Sequence, residues 1–194
     1  MLKGNIKLIG ITGAAGSGKS VLSKALQGQF GYYPMSFSAG LKKMIYTLPH
    51  LSEEKFADRE WKEKVHPFYG KSPREMMQTL GTEWARNLIH PDIWVWVAAQ
   101  KVENKFTVTR NICNYIFDDV RFENEAEWIR NTGGLIVVLR RDETPEVREH
   151  SSEAGINTNI MDYVVRNNRS IEDLCSSAPF LNDLAETARS EAVA

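Results

Sequence analysis

Only two cysteines, Cys113 and Cys175, occur among the 194 residues. They stand far apart without CxxC spacing, so both are read as reduced, structural thiols. No apolar run approaches the roughly 20 residues a membrane-crossing helix needs. Internal repeats, low-complexity tracts and domain-splitting linkers are missing too. One domain is therefore expected over residues 1–194, long enough to bury a real core. Charge of one sign is also missing: 24 Lys and Arg against 25 Asp and Glu leave a net charge of −1 and a pI near 6.4. Such a balance lacks the footprint of a binder of long nucleic acid, though local arginines remain able to hold small anions. The amino terminus runs into an apolar strand within a few residues, leaving no room for a signal peptide. A cytoplasmic protein without membrane attachment is expected.

What is present is concentrated near the start. Behind the apolar run Ile6-Lys7-Leu8-Ile9-Gly10-Ile11 comes Gly13-Ala14-Ala15-Gly16-Ser17-Gly18-Lys19-Ser20. The glycines let backbone N–H groups curl round a polyphosphate, and the following helix presents its positive dipole end to the same anion. Lys19 reaches the β/γ-phosphates, and Ser20 offers a hydroxyl to Mg²⁺. The pattern requires a strand before it and a helix after it. Val21, Leu22, Ala25 and Leu26 supply the helical spacing. A bound nucleoside triphosphate is the expectation.

Strands and helices then alternate. Tyr33 to Phe37 reads as a strand, and a helix starting near Ser38 and stopping at Pro49 sets Leu41, Met44, Ile45 and Leu48 on one face. Ser52 to Lys64 reads as a charged surface helix. Ser72-Pro73-Arg74-Glu75 has the cap, proline and acid of a helix start, and that helix runs toward Ile89 through Met76 and Met77, read as core. The stretch Asp92 to Lys101 fits both strand and helix periods, with helix favoured. Strands follow at Tyr115–Phe117, Leu135–Leu139 and Tyr163–Val165, with helices over 123–130 and 171–189. The class is α/β: about five parallel strands with helices on both faces.

A P-loop alone does not choose among kinases, switch GTPases and motors. Asp119-Val120-Arg121-Phe122 lacks the glycine of a GTPase switch, and no Asn-Lys-x-Asp guanine reader occurs. A motor would be larger and more basic. A small enzyme moving a γ-phosphoryl group to a small acceptor remains. Asp118-Asp119 falls at the carboxyl end of a central strand, where open α/β sheets bind ligands and where a carboxylate can hold Mg²⁺ through water. Adjacent side chains on a strand diverge, so one acid is expected to act and the other to support it. Arg121 could face the same cleft and meet an acceptor phosphate.

Several of these clusters together resemble the deoxynucleoside monophosphate kinases of bacteriophages, members of the P-loop nucleoside monophosphate kinase family. The shared features are Asp119-Val120-Arg121-Phe122-x-Asn124-Glu125, Phe37-Ser38-Ala39-Gly40-Leu41-Lys42 and Pro73-Arg74-x-x-x-x-Gln78-x-x-Gly81-Thr82-Glu83. To these add His150-x-Ser152-Glu153 and Asp162-x-x-Val165-x-Asn167-x-x-Ser170. The set spans nearly the whole chain. The resemblance implies a P-loop kinase fold, ATP and Mg²⁺ on the donor side, and a deoxynucleoside monophosphate acceptor. It implies an acceptor-binding helical region over about 38–103, a lid over about 140–158, and host cytoplasm as location if the chain is of phage origin.

Carried over position by position, residues Gly13 to Val21 and Asn167 would hold the donor, with Ser20, Asp118 and Asp119 on the metal. Lys19, Asp119, Arg121, Arg140 and Arg141 would serve catalysis. Ser38, Lys42, Arg74, Gln78, Glu83, Arg86 and Arg121 would meet the acceptor. The Asp-Val-Arg match favours Asp119 over Asp118 for turnover, while the doubled acid leaves the metal-facing carboxylate open. Gly40 departs from the helix formers expected at its place.

Physical chemistry asks for the same parts. Phosphoryl transfer needs positioning, cations against the equatorial oxygens, and exclusion of water. Arg74, Arg86, Arg121 and Arg140-Arg141 supply cations from separate segments. Arg74 and Gln78, four apart, share a helix face. Glu83 reads as a base or sugar ligand or as a plain charged face. Trp84, Trp94 and Trp96 read as core before base stacking, though the apolar faces near Trp94 and Trp96 leave a homodimer open. His150 and Glu153 read as lid hydrogen-bonding groups, and His50, His66 and His90 form no constellation. Two other readings stand beside the nucleotide kinase: a kinase of another small acceptor such as dephospho-coenzyme A, and an ATP-holding module without transfer.

Overall fold

The structure is a computed structural model that describes residues 5–109, 113–142, 156 and 162–192. Most of the expected lid lies outside these residues, as do His150, Ser152 and Glu153. Five strands form one sheet: β1 (Ile6–Gly13), β2 (Tyr33–Met35), β3 (Cys113–Phe117), β4 (Leu135–Arg140) and β5 (Tyr163–Arg166). Their order is β2-β3-β1-β4-β5, and every pairing is parallel. The chain leaves β1 for the β2 edge and later crosses from β3 over β1 to β4. The carboxyl end of β1 is thus the switch point where the connections part, the place such sheets bind ligands.

Alternation along the strands builds two cores. Ile6 and Leu8 face one side with Tyr115, Phe117, Ile136 and Val138. There α6 (Ile93–Thr109) and α7 (Glu123–Asn131) cover them through Val95, Ala98, Val102, Ala126 and Ile129. Ile9 and Ile11 face the other side with Ile116, Val137 and Leu139. That layer is closed by α1 (Lys19–Phe30), α8 (Ile171–Ser176) and α9 (Ala178–Glu191) through Leu22, Leu26, Leu174 and Leu181. Each such fully buried aliphatic side chain contributes about 1.5–3 kcal/mol, so both layers anchor β1 firmly. The α/β class and helices on both faces expected from the sequence are borne out.

A helical region stands at the carboxyl end of β2 and β3. It comprises α2 (Ala39–Ile45), α3 (Glu53–Ala57), α4 (Arg59–Glu63) and α5 (Pro73–Gln78), with α5 continuing into a π-helical segment, Thr79–Ile89. Two small cores hold it: Leu41, Ala85 and Trp94 in one, Ile45, Leu51 and Phe56 in the other. The capping box at Ser72 and Glu75 forms as expected, with Ser72 N–H donating to Glu75 Oε2 at 2.6 Å.

Several sequence expectations change here. The charged helix over 52–64 is two helices, because Asp58 caps the second by accepting from Glu60 N–H and Trp61 N–H, while Phe56 is buried. The last helix also divides, at Ser177, whose hydroxyl donates back to Leu174 O at 2.6 Å and does not cap the helix that follows. The helix after Ser38 ends at Ile45, short of Pro49. From Ile93 onward the stretch to Lys101 is helical, after a turn at Asp92, and Trp94 is core, but Trp84 and Trp96 are 39% and 55% exposed. The π-helical segment was not foreseen. Its wide turn shows at its end, where His90 N–H donates to the carbonyl of Ala85, five residues back, at 3.0 Å.

Candidate active site

The loop from Gly13 to Ser20 wraps the carboxyl end of β1. Two of its glycines are forced by close approach. A Cβ on Gly13 (φ 145°) would collide with the Leu139 carbonyl, and one on Gly18 (φ 102°) would lie 2.6 Å from Asn167 Nδ2. Lys19 Nζ bridges the loop, donating to the carbonyls of Gly13 at 2.6 Å and Ala14 at 2.8 Å. Ser20 is exposed at the start of α1, whereas Ser17 is wholly buried. Asn167 braces the loop from β5: its Nδ2 donates to Ser17 O at 2.8 Å, and its N–H donates to Arg140 O at 2.8 Å.

β3 ends at Phe117, and the two following acids separate in role. Asp119 is fully engaged. Its Oδ2 accepts from Ser36 Oγ at 2.6 Å and Ser38 N–H at 3.0 Å, and its Oδ1 accepts from Phe37 N–H at 3.1 Å. Asp119 therefore pins the turn leading into α2 against the end of β3. Asp118 has the opposite setting. Burial, then the neighbouring Asp119 charge, push its carboxyl above the usual range, while Lys42 and Lys19 pull it back. It thus lies within the field of both the P-loop lysine and the α2 lysine.

Beside this pair opens a cavity of about 420 Å³, in the range of small-molecule sites. Ser38, at the N-cap of α2, and Lys42 within it line its wall, α5 contributes Arg74 and Gln78, and the loop after β3 contributes Asp119 and Arg121. The π-helical segment adds Gly81, whose carbonyl accepts from Trp94 Nε1 at 2.8 Å. A Cβ there would lie 2.7 Å from Leu41 Cδ2, so Gly81 lets α2 and the segment close up.

Arg86 lines the inner end of the cavity and is bolted down. Its Nη2 donates to Glu125 Oε1 at 2.5 Å, and its Nη1 donates to Pro91 O at 2.9 Å. The guanidinium also stacks 3.8 Å from the centre of the Phe122 ring. Glu125 Oε2 accepts from Arg121 N–H at 2.8 Å and Phe122 N–H at 3.1 Å. Burial pushes the Glu125 carboxyl up to about 7 against the pull of Arg86. The same burial lowers Arg86 from its ordinary range. The pair fixes the backbone that carries Arg121.

Of the residues singled out in the sequence, Ser38, Lys42, Arg74, Gln78, Arg86, Asp119 and Arg121 converge on the cavity. Arg74 also meets Glu63, its Nε donating at 2.6 Å. Glu83 is exposed and does not line it. Arg140 and Arg141 are exposed at the end of β4, and Asn167 lies beneath the loop as a brace. Asp162 ties β5 to α7, accepting from Arg130 Nε at 2.9 Å and Nη2 at 2.6 Å. Sequence reasoning missed the far wall, formed by Tyr46, Glu53, Phe56 and Lys62. The isolated apolar residues Phe56 and Trp61 within a charged stretch give no period that would mark a buried side. Burial and then Glu53 raise the Tyr46 phenol above its usual range. Among the described residues no group of three His, Cys, Asp or Glu could hold a metal ion, and no helix is long and apolar enough to cross a membrane.

A sequence model of the deoxynucleotide monophosphate kinase family matches residues 70–178. A protein of Acanthamoeba polyphaga mimivirus, provisionally named a deoxynucleotide monophosphate kinase, is 30% identical over 87% of this chain and 92% of its own length. The deoxynucleoside-5'-monophosphate kinase of Escherichia phage T5 is 33% identical over 44% of this chain, a match spanning 35% of that protein. A solved Thermus thermophilus structure is 19% identical with a TM-score of 0.50, covering 92% of this chain and 96% of that one, which speaks to the fold alone.

Proposed function

Because this chain belongs to the deoxynucleotide monophosphate kinase family, we propose that it moves the γ-phosphoryl group of ATP onto a deoxynucleoside monophosphate held in the cavity beside α2. As a kinase of small nucleotides it draws on ATP as donor. The observation that carries the assignment of sites is the three-bond clasp of Asp119 on residues 36–38. The clasp sets a cation-lined cavity against the strand end beside the P-loop, as two adjoining phosphate sites require.

Residues 13–20 receive the donor phosphates through backbone N–H groups, and Lys19 exchanges its bonds to Gly13 and Ala14 carbonyls for phosphate oxygens. An acceptor phosphate oxygen attacks the γ-phosphorus in line, the bond to the β–γ bridging oxygen breaks, and ADP leaves with that electron pair. The nucleophile is already anionic, so no general base is needed. Arg121, on backbone fixed by Glu125, and Lys42 oppose the charge on the transferring group. Arg140 and Arg141, at the mouth of the proposed lid, would add cations on closure.

The donor set suits Mg²⁺. The exposed Ser20 hydroxyl and one carboxylate, reached through water, are what this ion uses when phosphates supply the remaining ligands. Asp118 fits better than Asp119, whose two oxygens already take three hydrogen bonds. Held by Ser20 and Asp118, Mg²⁺ would supply positive charge against the charge building on the donor phosphates.

The test is ADP release from ATP with each deoxynucleoside monophosphate in turn, and with dephospho-coenzyme A as rival acceptor. Release that depends on a monophosphate is expected. Release only with dephospho-coenzyme A would move the chain to another acceptor class, and ATP binding without turnover would make it a binding module.

A further inference from the structure

Lys62 belongs to none of the motifs above, yet α4 carries it to the cavity wall that also holds Lys42 and Arg74. It is partly buried, and the charged groups acting on it are Arg74, Lys42 and Arg59, which repel it, and Glu63, which attracts it. Burial and those three cations hold its ammonium below the ordinary lysine range. Glu63, the only carboxylate among these groups, takes its hydrogen bond from Arg74 Nε at 2.6 Å. No hydrogen bond or ion pair ties the Lys62 ammonium to a carboxylate among the described residues. A lysine on a plain surface extends its head into water and away from other cations. Here three cations from three helices are gathered on one concavity, at an electrostatic cost that a bound anion would relieve.

We propose that Lys62 is a ligand of the acceptor's phosphate, completing with Lys42 and Arg74 a three-cation seat for a nucleoside monophosphate. This rests on the kinase reading above. A phosphate monoester carries about −1.5 to −2 charges near pH 7, enough to satisfy more than one cation. A lysine with three rotatable donors on a flexible stem suits an anion that must be gripped together with Lys42 and Arg74. Lys62 is then a specificity-determining residue for a phosphorylated over an unphosphorylated nucleoside.

Calorimetric titration of each deoxynucleoside monophosphate and its deoxynucleoside into the wild type, Lys62→Gln and Lys62→Arg tests this. A lost charge-assisted contact predicts about 10–100-fold weaker monophosphate binding in Lys62→Gln. Nucleoside affinity, the KM for ATP and the melting temperature should stay as in the wild type. Lys62→Arg should recover most of the loss. Monophosphate affinity within about twofold of wild type in Lys62→Gln overturns the proposal. So does an equal loss for nucleotide and nucleoside, which would assign Lys62 to the base or to packing. A wild-type chain that binds no monophosphate overturns the kinase reading itself, and this proposal with it.

Discussion

Replacing Arg86 by methionine removes the cation from a buried pair while keeping an unbranched side chain of similar reach. The effect should depend on pH in a direction fixed by Glu125. Burial raises this carboxyl from 4.5 to about 7, helped by Asp119 and opposed chiefly by Arg86. A group whose folded pKa lies above its unfolded one stabilises fully below the unfolded value and loses that contribution as pH rises through the folded value. In the wild type the loss ends near pH 7. Without Arg86 the folded value climbs further, so the variant keeps losing stability above pH 7, by up to about 1.4 kcal/mol per pH unit. The lost stacking on Phe122 adds about 2 kcal/mol at any pH. Near pH 8.5 the total should reach the roughly 3–5 kcal/mol typical of a broken buried pair. For a chain of this size that is a fall of about 6–20 °C in melting temperature. Circular-dichroism melts near pH 6 and near pH 8.5 at equal ionic strength measure it. A gap equal at both pH values, or under about 3 °C at the higher one, refutes the role given to the pair.

Lys19→Ala should lower kcat by about 10²–10³-fold without changing the melting temperature, and near-normal turnover at saturating ATP would remove Lys19 from the phosphate site. Asp119→Asn sets an amide against donors that now meet a carboxylate. It should lose about 1.5–3 kcal/mol of stability and raise the acceptor KM, with the Mg²⁺ titration unmoved. Asp118→Asn should shift the Mg²⁺ titration and hold or slightly raise the melting temperature near neutral pH, because burial and Asp119 already disfavour its charged form; the reverse pattern in the two variants would exchange their roles. Arg140→Ala and Arg141→Ala should reduce kcat more than ATP affinity, because their contact belongs to the closed state, and full turnover in both would make that segment a plain surface loop.

The proposed donor side is legible because its signals are local. Gly13 to Ser20 is contiguous, and strands such as Leu135–Arg140 announce themselves as short apolar runs. The proposed acceptor side depends on tertiary contacts that no window reveals. Phe56 is buried by Ile45 and Leu51, not by a periodic partner. Asp58 ends one helix by capping the next, which needs a backbone turn the composition does not encode. Trp84 and Trp96 fit the helical period yet lie outside, as periodicity gives a face but not which neighbour covers it. The Asp-Val-Arg motif favours Asp119 over Asp118 for turnover. The hydrogen bonds of Asp119 to residues 36–38, more than eighty positions away, could be known only from the fold.

Phosphorus NMR of the wild type with ATP, Mg²⁺ and one deoxynucleoside monophosphate tests the central claim most directly. The account predicts that the γ-phosphate signal of ATP and the monophosphate signal fall together, replaced in equal amounts by ADP and a deoxynucleoside diphosphate. Inorganic phosphate growing while the monophosphate signal stays constant would contradict it, because the P-loop would then be hydrolysing its nucleotide with nothing transferred to the cavity beside it.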